Sequence, residues 1–253
     1  MRSVRRDLAS RSWLAVMCLS LSGAPDALAA TVPQCRDDAM LVFDASRSMI
    51  NISSDGADRP RIDEARAALR QVLPQVTPFR DMGLIVYGPG RQDVCGHIDL
   101  RLAPLPDAGG RIMAELDGIA PDGDTPLTEA VAQAAEILRE RVSSGAIVLI
   151  TDGRETCGGQ PCRLAERLSR DAPGLTVHII GFQTQISSFE WQSFGHDDIR
   201  NTQVIARCLA DRTGGTYATA QSTDDLIAAL QDVLACPVIG RAGQVTPPPP
   251  PRS

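Results

Sequence analysis

The sequence contains no lysine: all 25 of its basic residues are arginine. This absence excludes sites whose chemistry needs a lysine side chain, such as the phosphate-binding loop of P-loop NTPases, Schiff-base enzymes and protein kinases. The motifs G-x-S-x-G and H-E-x-x-H are also absent, and no histidine neighbours a plausible nucleophile. The sequence therefore offers no recognisable catalytic centre of these classes.

Basic charge is scarce as well. The formal net charge is −6, and it becomes −8 when residues 1–29, which hold four Arg and two Asp, are removed. A chain that binds nucleic acid or an anionic membrane usually carries a basic surface patch. The charge balance therefore argues against both kinds of partner.

Long apolar runs are missing beyond the N-terminal region. Three arginines among the first six residues precede an apolar stretch from Trp13 to Leu21, and a small-residue segment A-L-A-A ends at Ala30. This order is typical of a cleaved secretory signal, and the apolar stretch is too short to cross a bilayer. We predict that residues 1–29 are a signal peptide and that the mature protein is exported, periplasmic or secreted, without a transmembrane segment.

Six of the seven cysteines remain after the predicted cleavage. An even number in an exported protein favours disulfides, although the sequence alone permits fifteen complete pairings. We expect a local bridge between Cys157 and Cys162, which flank a Gly/Pro-rich loop, and a bridge from Cys35 to Cys236 that ties the ends of the domain. Cys95 and Cys208 remain, and nothing in the sequence assigns them to each other. Zinc is the weaker alternative, because only one C-x4-C pair is present and the three histidines are scattered.

Four continuous apolar runs predict strands that are buried on both faces, as in a parallel sheet, whereas one alternating run predicts an edge strand. The buried runs are Met40–Phe43, Gly83–Tyr87, Ala146–Ile150 and Leu175–Gly181, and the alternating run is His97–Leu102. Segments with helical periodicity separate them. We predict an α/β fold: a Rossmann-like, doubly wound, mostly parallel sheet with one antiparallel edge strand and helices on both faces. Its expected limits are residues 35–237, followed by a disordered Pro-rich tail over residues 238–253.

Polar oxygen-bearing residues stand at the ends of two buried runs and at the start of a helix. They are Asp44, Ser46 and Ser48 after the first run, Asp152 after the third, and Thr125, whose position before Pro126 predicts a helix N-cap. The carboxyl ends of parallel strands meet at one rim of the sheet, where such folds bind ligands. Hard oxygens without sulfur or nitrogen suit Mg²⁺, Mn²⁺ or Ca²⁺. The alternative for the first group is an ordinary side-chain turn that ends the strand.

The segments D-A-S-R-S, D-T-P-L and T-D-G, in this order, resemble the von Willebrand factor type A (VWA) domain and its metal-ion-dependent adhesion site. The resemblance covers about residues 38–235, and among VWA domains the chain resembles those of bacterial exported proteins. It implies three hydroxyl ligands and two carboxylates that act mainly through bound water: Ser46, Ser48 and Thr125 as the ligands, Asp44 and Asp152 through water. It also implies one open metal position for a carboxylate of the partner, and the VWA fold.

We therefore expect a non-enzymatic, divalent-cation-dependent protein-binding module of the bacterial cell envelope, with Mg²⁺, or else Mn²⁺ or Ca²⁺, as its cofactor. Its partner would be a protein that presents an Asp or Glu side chain. Two alternatives remain open: a metal-dependent hydrolase, and a structural scaffold with an unused metal site. Arg47 stands where many VWA domains have Gly; it either contacts an acidic partner, weakens metal binding, or is a solvated loop residue. The sequence does not indicate the oligomeric state.

Overall fold

The apolar run that ends at Asp44 forms the central strand of a six-stranded sheet. The strands are β1 (Asp38–Asp44), β2 (Met82–Tyr87), β3 (Ile98–Leu105), β4 (Gly145–Thr151), β5 (Leu175–Phe182) and β6 (Tyr217–Ala220), in the order β3-β2-β1-β4-β5-β6. Only the β2–β3 pair is antiparallel, and all other neighbours are parallel. The predicted mostly parallel sheet with one antiparallel edge strand is thereby confirmed.

The computed structural model describes residues 37–53, 58–90, 95–142, 144–183 and 207–235. The predicted signal peptide, the Pro-rich tail, Cys35 and Cys236 lie outside these ranges. Across the described ranges, every helix is too short or too polar to cross a membrane.

Helices cover both faces of the sheet, as the alternation of strands and helical segments predicts. They are α1 (Arg61–Val76), α2 (Gly109–Asp117), α3 (Leu127–Arg141), α4 (Pro161–Asp171) and α5 (Thr223–Leu234), and residues 207–213 are also helical. Helix α1 continues through Pro74 and ends at Val76, two residues before Pro78. Helix α5 begins with a capping box between Ser222 and Asp225.

The core has two layers, one on each face of the sheet, because successive side chains of a strand point to opposite faces. Leu41 and Phe43 of β1 pack with the apolar faces of α1, α2 and α5. Met40 and Val42 pack with α3, α4 and Leu209. Burial on both faces explains why the interiors of β1, β2 and β4 are continuous apolar runs. The carboxyl ends of β1 and β4 are adjacent, which brings their polar loops to one rim.

Candidate functional site

Asp44 ends the central strand and is fully buried. Its Oδ1 accepts a hydrogen bond from the backbone N–H of Ser46 at 2.8 Å, and its Oδ2 accepts one from Oγ1 of Thr151 at 2.6 Å. Thr151 is the last residue of β4, the parallel neighbour of β1. Both carboxylate oxygens are therefore held by the two strand ends that form the rim.

The two serines of the loop lie next to each other because they are two residues apart in a tight turn, which continues as a 3₁₀ turn over Arg47–Ile50. The Oγ atoms of Ser46 and Ser48 are 3.1 Å apart. Ser48 also donates a hydrogen bond to Oδ1 of Asp152 at 2.6 Å. The loop after β1 is thereby joined to the loop after β4, as the sequence predicts for neighbouring parallel strands.

Thr125 brings a third hydroxyl to the same place. A Cβ atom built on Gly153 would lie 3.7 Å from both Oγ of Ser48 and Oγ1 of Thr125, so the two hydroxyls lie beside the same small residue. The backbone of Thr125 is paired twice with Thr156: its N–H donates to Oγ1 of Thr156 at 2.8 Å, and its carbonyl accepts from the N–H of Thr156 at 3.1 Å. All five predicted site residues lie on one rim of the sheet.

The prediction that Thr125 is the N-cap of the following helix is wrong. Helix α3 begins at Leu127, its N-cap position is Pro126, and no side chain of that position caps it. The first-turn N–H of Thr128 instead donates to Oε2 of Glu155 at 2.8 Å. A carboxylate is a better partner than a hydroxyl for the positive end of a helix dipole. The hydroxyl of Thr125 is therefore not needed for capping.

Glu155 is a positioning residue that the sequence analysis did not identify. Its Oε1 also accepts the N–H of Cys157 at 2.8 Å, so one carboxylate holds both the start of α3 and the loop after β4. The T-D-G-R-E segment offered a signal, since an acidic residue near a strand end often caps a helix. Thr128, whose N–H donates to Glu155, is 27 residues away in the sequence, so this contact is seen only in the folded structure.

The two buried carboxylates of the site influence each other. Burial, followed by the negative charge of Asp152, raises the pKa of Asp44 to about 6, although hydrogen bonds from Ser46 and Thr151 act in the opposite direction. Tyr87 is buried beside them, and burial together with the charge of Asp44 raises its pKa well above the ordinary value. Burial is the largest cause of both shifts, so water is largely excluded from this part of the site.

Arg61 and Arg47 lie at this rim in different environments. Nη1 of Arg61, in the first turn of α1, donates to Oδ2 of Asp152 at 2.7 Å, and the two side chains are 14% and 0% exposed. Arg47 donates to Oδ1 of Asp122 at 3.1 Å, and its side chain is 67% exposed. The sequence analysis singled out Arg47 and missed Arg61, which is the residue in contact with a predicted site carboxylate.

The donor set fits a hard divalent cation. Three hydroxyls and two carboxylates supply oxygen atoms only, which is the ligand chemistry of Mg²⁺, Mn²⁺ or Ca²⁺. In such a site the hydroxyls of Ser46, Ser48 and Thr125 are the candidate direct ligands. The cation would also offset the buried charge of the two aspartates.

The predicted bridge between Cys157 and Cys162 is wrong. Cys157 pairs with Cys95, and Cys162 pairs with Cys208. The cause is the start of α4 at Pro161, which places Cys162 in the first helical turn. This turn lies against helical residues 207–213, to which α4 is also joined by the ion pair between Glu166 and Arg212.

The pairing also bears on the zinc alternative. Cys95, Asp124 and Cys157 offer ligand atoms within 4.8 Å of one another, but both sulfurs belong to the same disulfide. They are not available as thiolates while the bridge is intact. Disulfides are typical of exported proteins and support the predicted oxidising location. The expected pair of Cys35 and Cys236 lies outside the described residues.

Comparison with known proteins shows which domain family the chain resembles. Residues 39–155 match the family model of the von Willebrand factor type A domain. The chain is 26% identical over 201 residues to the uncharacterized protein YwmD of Bacillus subtilis, covering 76% of this chain and 82% of that protein. The matched residues run from β1 to the loop after β4 and include all five predicted site residues, and the fold is VWA-like.

Two solved structures share this fold at low identity. The first is a von Willebrand factor type A protein from Catenulispora acidiphila, with a TM-score of 0.59, 14% identity, and coverage of 79% of this chain and 42% of that one. The second is proximal thread matrix protein 1 from the mussel byssus with a zinc-occupied MIDAS motif, with a TM-score of 0.53, 18% identity, and coverage of 80% and 46%. The fold of this chain therefore spans less than half of each protein.

Proposed function

We propose, because the described residues form a VWA domain, that this chain is a non-enzymatic protein-binding module of the cell envelope that uses a divalent cation. The observation that carries the proposal is the convergence of three hydroxyls and two carboxylates on one rim. Zinc in the MIDAS motif of the mussel protein, a structure with the same fold, supports a divalent cation at this rim, and Mg²⁺ is the cation that the oxygen donors favour.

Hydroxyl ligands carry no formal charge, so a cation held by Ser46, Ser48 and Thr125 would keep much of its positive charge. It would attract an incoming carboxylate more strongly than a cation ligated directly by several carboxylates. The proposed partner therefore presents an Asp or Glu side chain at the rim. Arg47, which is exposed beside this position, is a candidate contact for the same acidic group.

Calorimetric titration of the purified chain with Mn²⁺ tests the metal site. We expect one bound ion in the wild type and none in Ser46→Ala or Thr125→Ala. Ser169→Ala is the matched control, because it removes a hydroxyl on the exposed surface of α4. All variants should keep the far-ultraviolet circular dichroism of the wild type. Unchanged Mn²⁺ affinity in both site variants would reject the assignment.

The partner is tested by capture from an envelope extract with Mg²⁺ and again with EDTA. We expect EDTA to abolish capture and added NaCl to reduce it only slightly, because screening weakens distant charges far more than a coordinate bond. Thr125→Ala should lose the same captured protein. If capture of the partner persists in EDTA but is lost in moderate salt, the partner binds another surface of the domain, whether or not the chain binds Mn²⁺.

A further inference from the structure

The buried ion pair between Arg61 and Asp152 joins the first turn of α1 to the candidate metal site. We propose that Arg61 is an internal counter-cation of this site: it compensates the charge of Asp152 when no metal is bound and lowers the affinity for the metal. This inference rests on the proposed metal site and adds the residue that sets its affinity.

The backbone presents Arg61 to the rim without help from the ion pair. The N–H of Arg61 donates to the carbonyl of Asn51 at 3.0 Å, and an isolated bridge pairs Ile52 with Pro60. These contacts close the loop between the 3₁₀ turn and α1. The backbone from which the side chain of Arg61 reaches Asp152 is therefore fixed by these two contacts.

The two oxygens of Asp152 have separate partners. Oδ1 accepts from Ser48 at 2.6 Å, whereas Oδ2 accepts from Arg61 at 2.7 Å. The oxygen that faces the predicted ligands is thus already oriented by Ser48. Loss of Arg61 should therefore change the charge around Asp152 more than it changes the orientation of the Asp152 carboxylate. A neutral hydrogen-bond donor in place of Arg61 would contribute mainly to that orientation.

The charge of Arg61 acts strongly because it is buried. Its side chain is 14% exposed, whereas that of Arg47 is 67% exposed and so is largely screened by solvent. A cation that binds the hydroxyls must do so against the nearby guanidinium.

The same arrangement has a favourable consequence for the proposed function. With Asp152 already neutralised by Arg61, a bound cation would be offset mainly by Asp44 and would keep more charge for a partner carboxylate. Arg61 would therefore lower the affinity for the metal and strengthen the attraction between the bound metal and an acidic ligand.

The test is calorimetric titration with Mn²⁺ alone on four proteins: wild type, Arg61→Gln, Arg61→Lys and Arg70→Gln. Arg61→Gln removes a buried positive charge near the cation and should tighten Mn²⁺ binding about tenfold, the order expected from the repulsion of one weakly screened charge. Arg61→Lys keeps the charge and should stay close to the wild type. Arg70→Gln is the control, since it removes a half-exposed arginine, paired with Asp117, from the same helix and should not change the affinity.

Arg61→Gln should also be less stable in EDTA, and Mn²⁺ should restore the loss because the metal replaces the missing counter-charge. If the variant is unfolded in EDTA, recovery of its circular dichroism on addition of Mn²⁺ supports the proposal, and no recovery at saturating Mn²⁺ overturns it. Equal or weaker Mn²⁺ binding by folded Arg61→Gln overturns it too. A wild type that binds no Mn²⁺ would instead reject the metal site itself.

Discussion

Replacement of Glu155 tests how the rim is held together. This carboxylate accepts the first-turn N–H of Thr128 and the N–H of Cys157, each at 2.8 Å. In Glu155→Ala both donors lose their partner. The loss of a helix-capping contact costs about 1 kcal/mol, the loss of a charge at a helix N-terminus about 0.5 kcal/mol, and the loss of a loop hydrogen bond about 1 kcal/mol.

Because Glu155 is partly exposed and water can replace some of these contacts, we expect a total of about 2 kcal/mol in the free energy of unfolding. In a chain of this size the melting temperature should fall by about 4 to 8 °C. Glu155→Gln keeps one acceptor oxygen and loses only the charge and one bond, so it should show about half the effect.

The assay is urea unfolding in EDTA followed by circular dichroism, with the slope of the transition checked for change. Glu136→Gln is the matched control, since Glu136 lies in α3, the helix that Glu155 caps, is 72% exposed and contacts Arg139 at 3.8 Å. The reasoning is refuted if Glu155→Ala loses no more stability than this control.

A second readout connects Glu155 to the site. Thr156 is its neighbour in sequence and holds the backbone of Thr125 in both directions. When Glu155 no longer fixes this loop, the hydroxyl of Thr125 should be less well placed, and Mn²⁺ affinity should fall about tenfold. A loss of stability with unchanged Mn²⁺ affinity would show that Glu155 serves α3 alone.

Two further predictions concern the disulfides and the pH dependence of stability. Non-reducing peptide mapping should recover Cys95 joined to Cys157, and recovery of any other partner for Cys95 would contradict the pairing. The variant in which both Cys95 and Cys157 are replaced by Ser should lose about 4 kcal/mol of unfolding free energy, because a bridge across 62 residues restricts the unfolded chain. Burial, and then the charge of Arg80, lowers the pKa of His178. The folded state therefore binds fewer protons at His178 than the unfolded state, and stability is lost as pH falls below about 6.5, the ordinary pKa of histidine. His178→Gln should therefore lose less stability than the wild type between pH 7 and pH 5 in urea titrations, and parallel curves would exclude this contribution.

The strands and their arrangement could be predicted from the sequence because burial leaves a local signal. A strand covered on both faces must be apolar at successive positions, as in Ala146–Ile150, whereas the half-covered edge strand β3 alternates. The polar residue that ends each run could be placed at the carboxyl rim for the same reason. Asp44, Ser46, Ser48 and Asp152 were therefore identified before any contact between them was known, and their role as a metal site remains a prediction.

Contacts between loops left no such signal. Asp152 meets Arg61 across 91 residues, and Thr128 meets Glu155 across 27. The sequence favoured the nearest partners, a Thr125 cap and a bridge between Cys157 and Cys162, because short separations make the smallest entropic demand on an unfolded chain. In the folded protein that entropy has already been lost when the strands pair. The order of the strands then decided which loops meet at the rim, and so which carboxylate caps α3, which cysteines join, and which arginine faces the site.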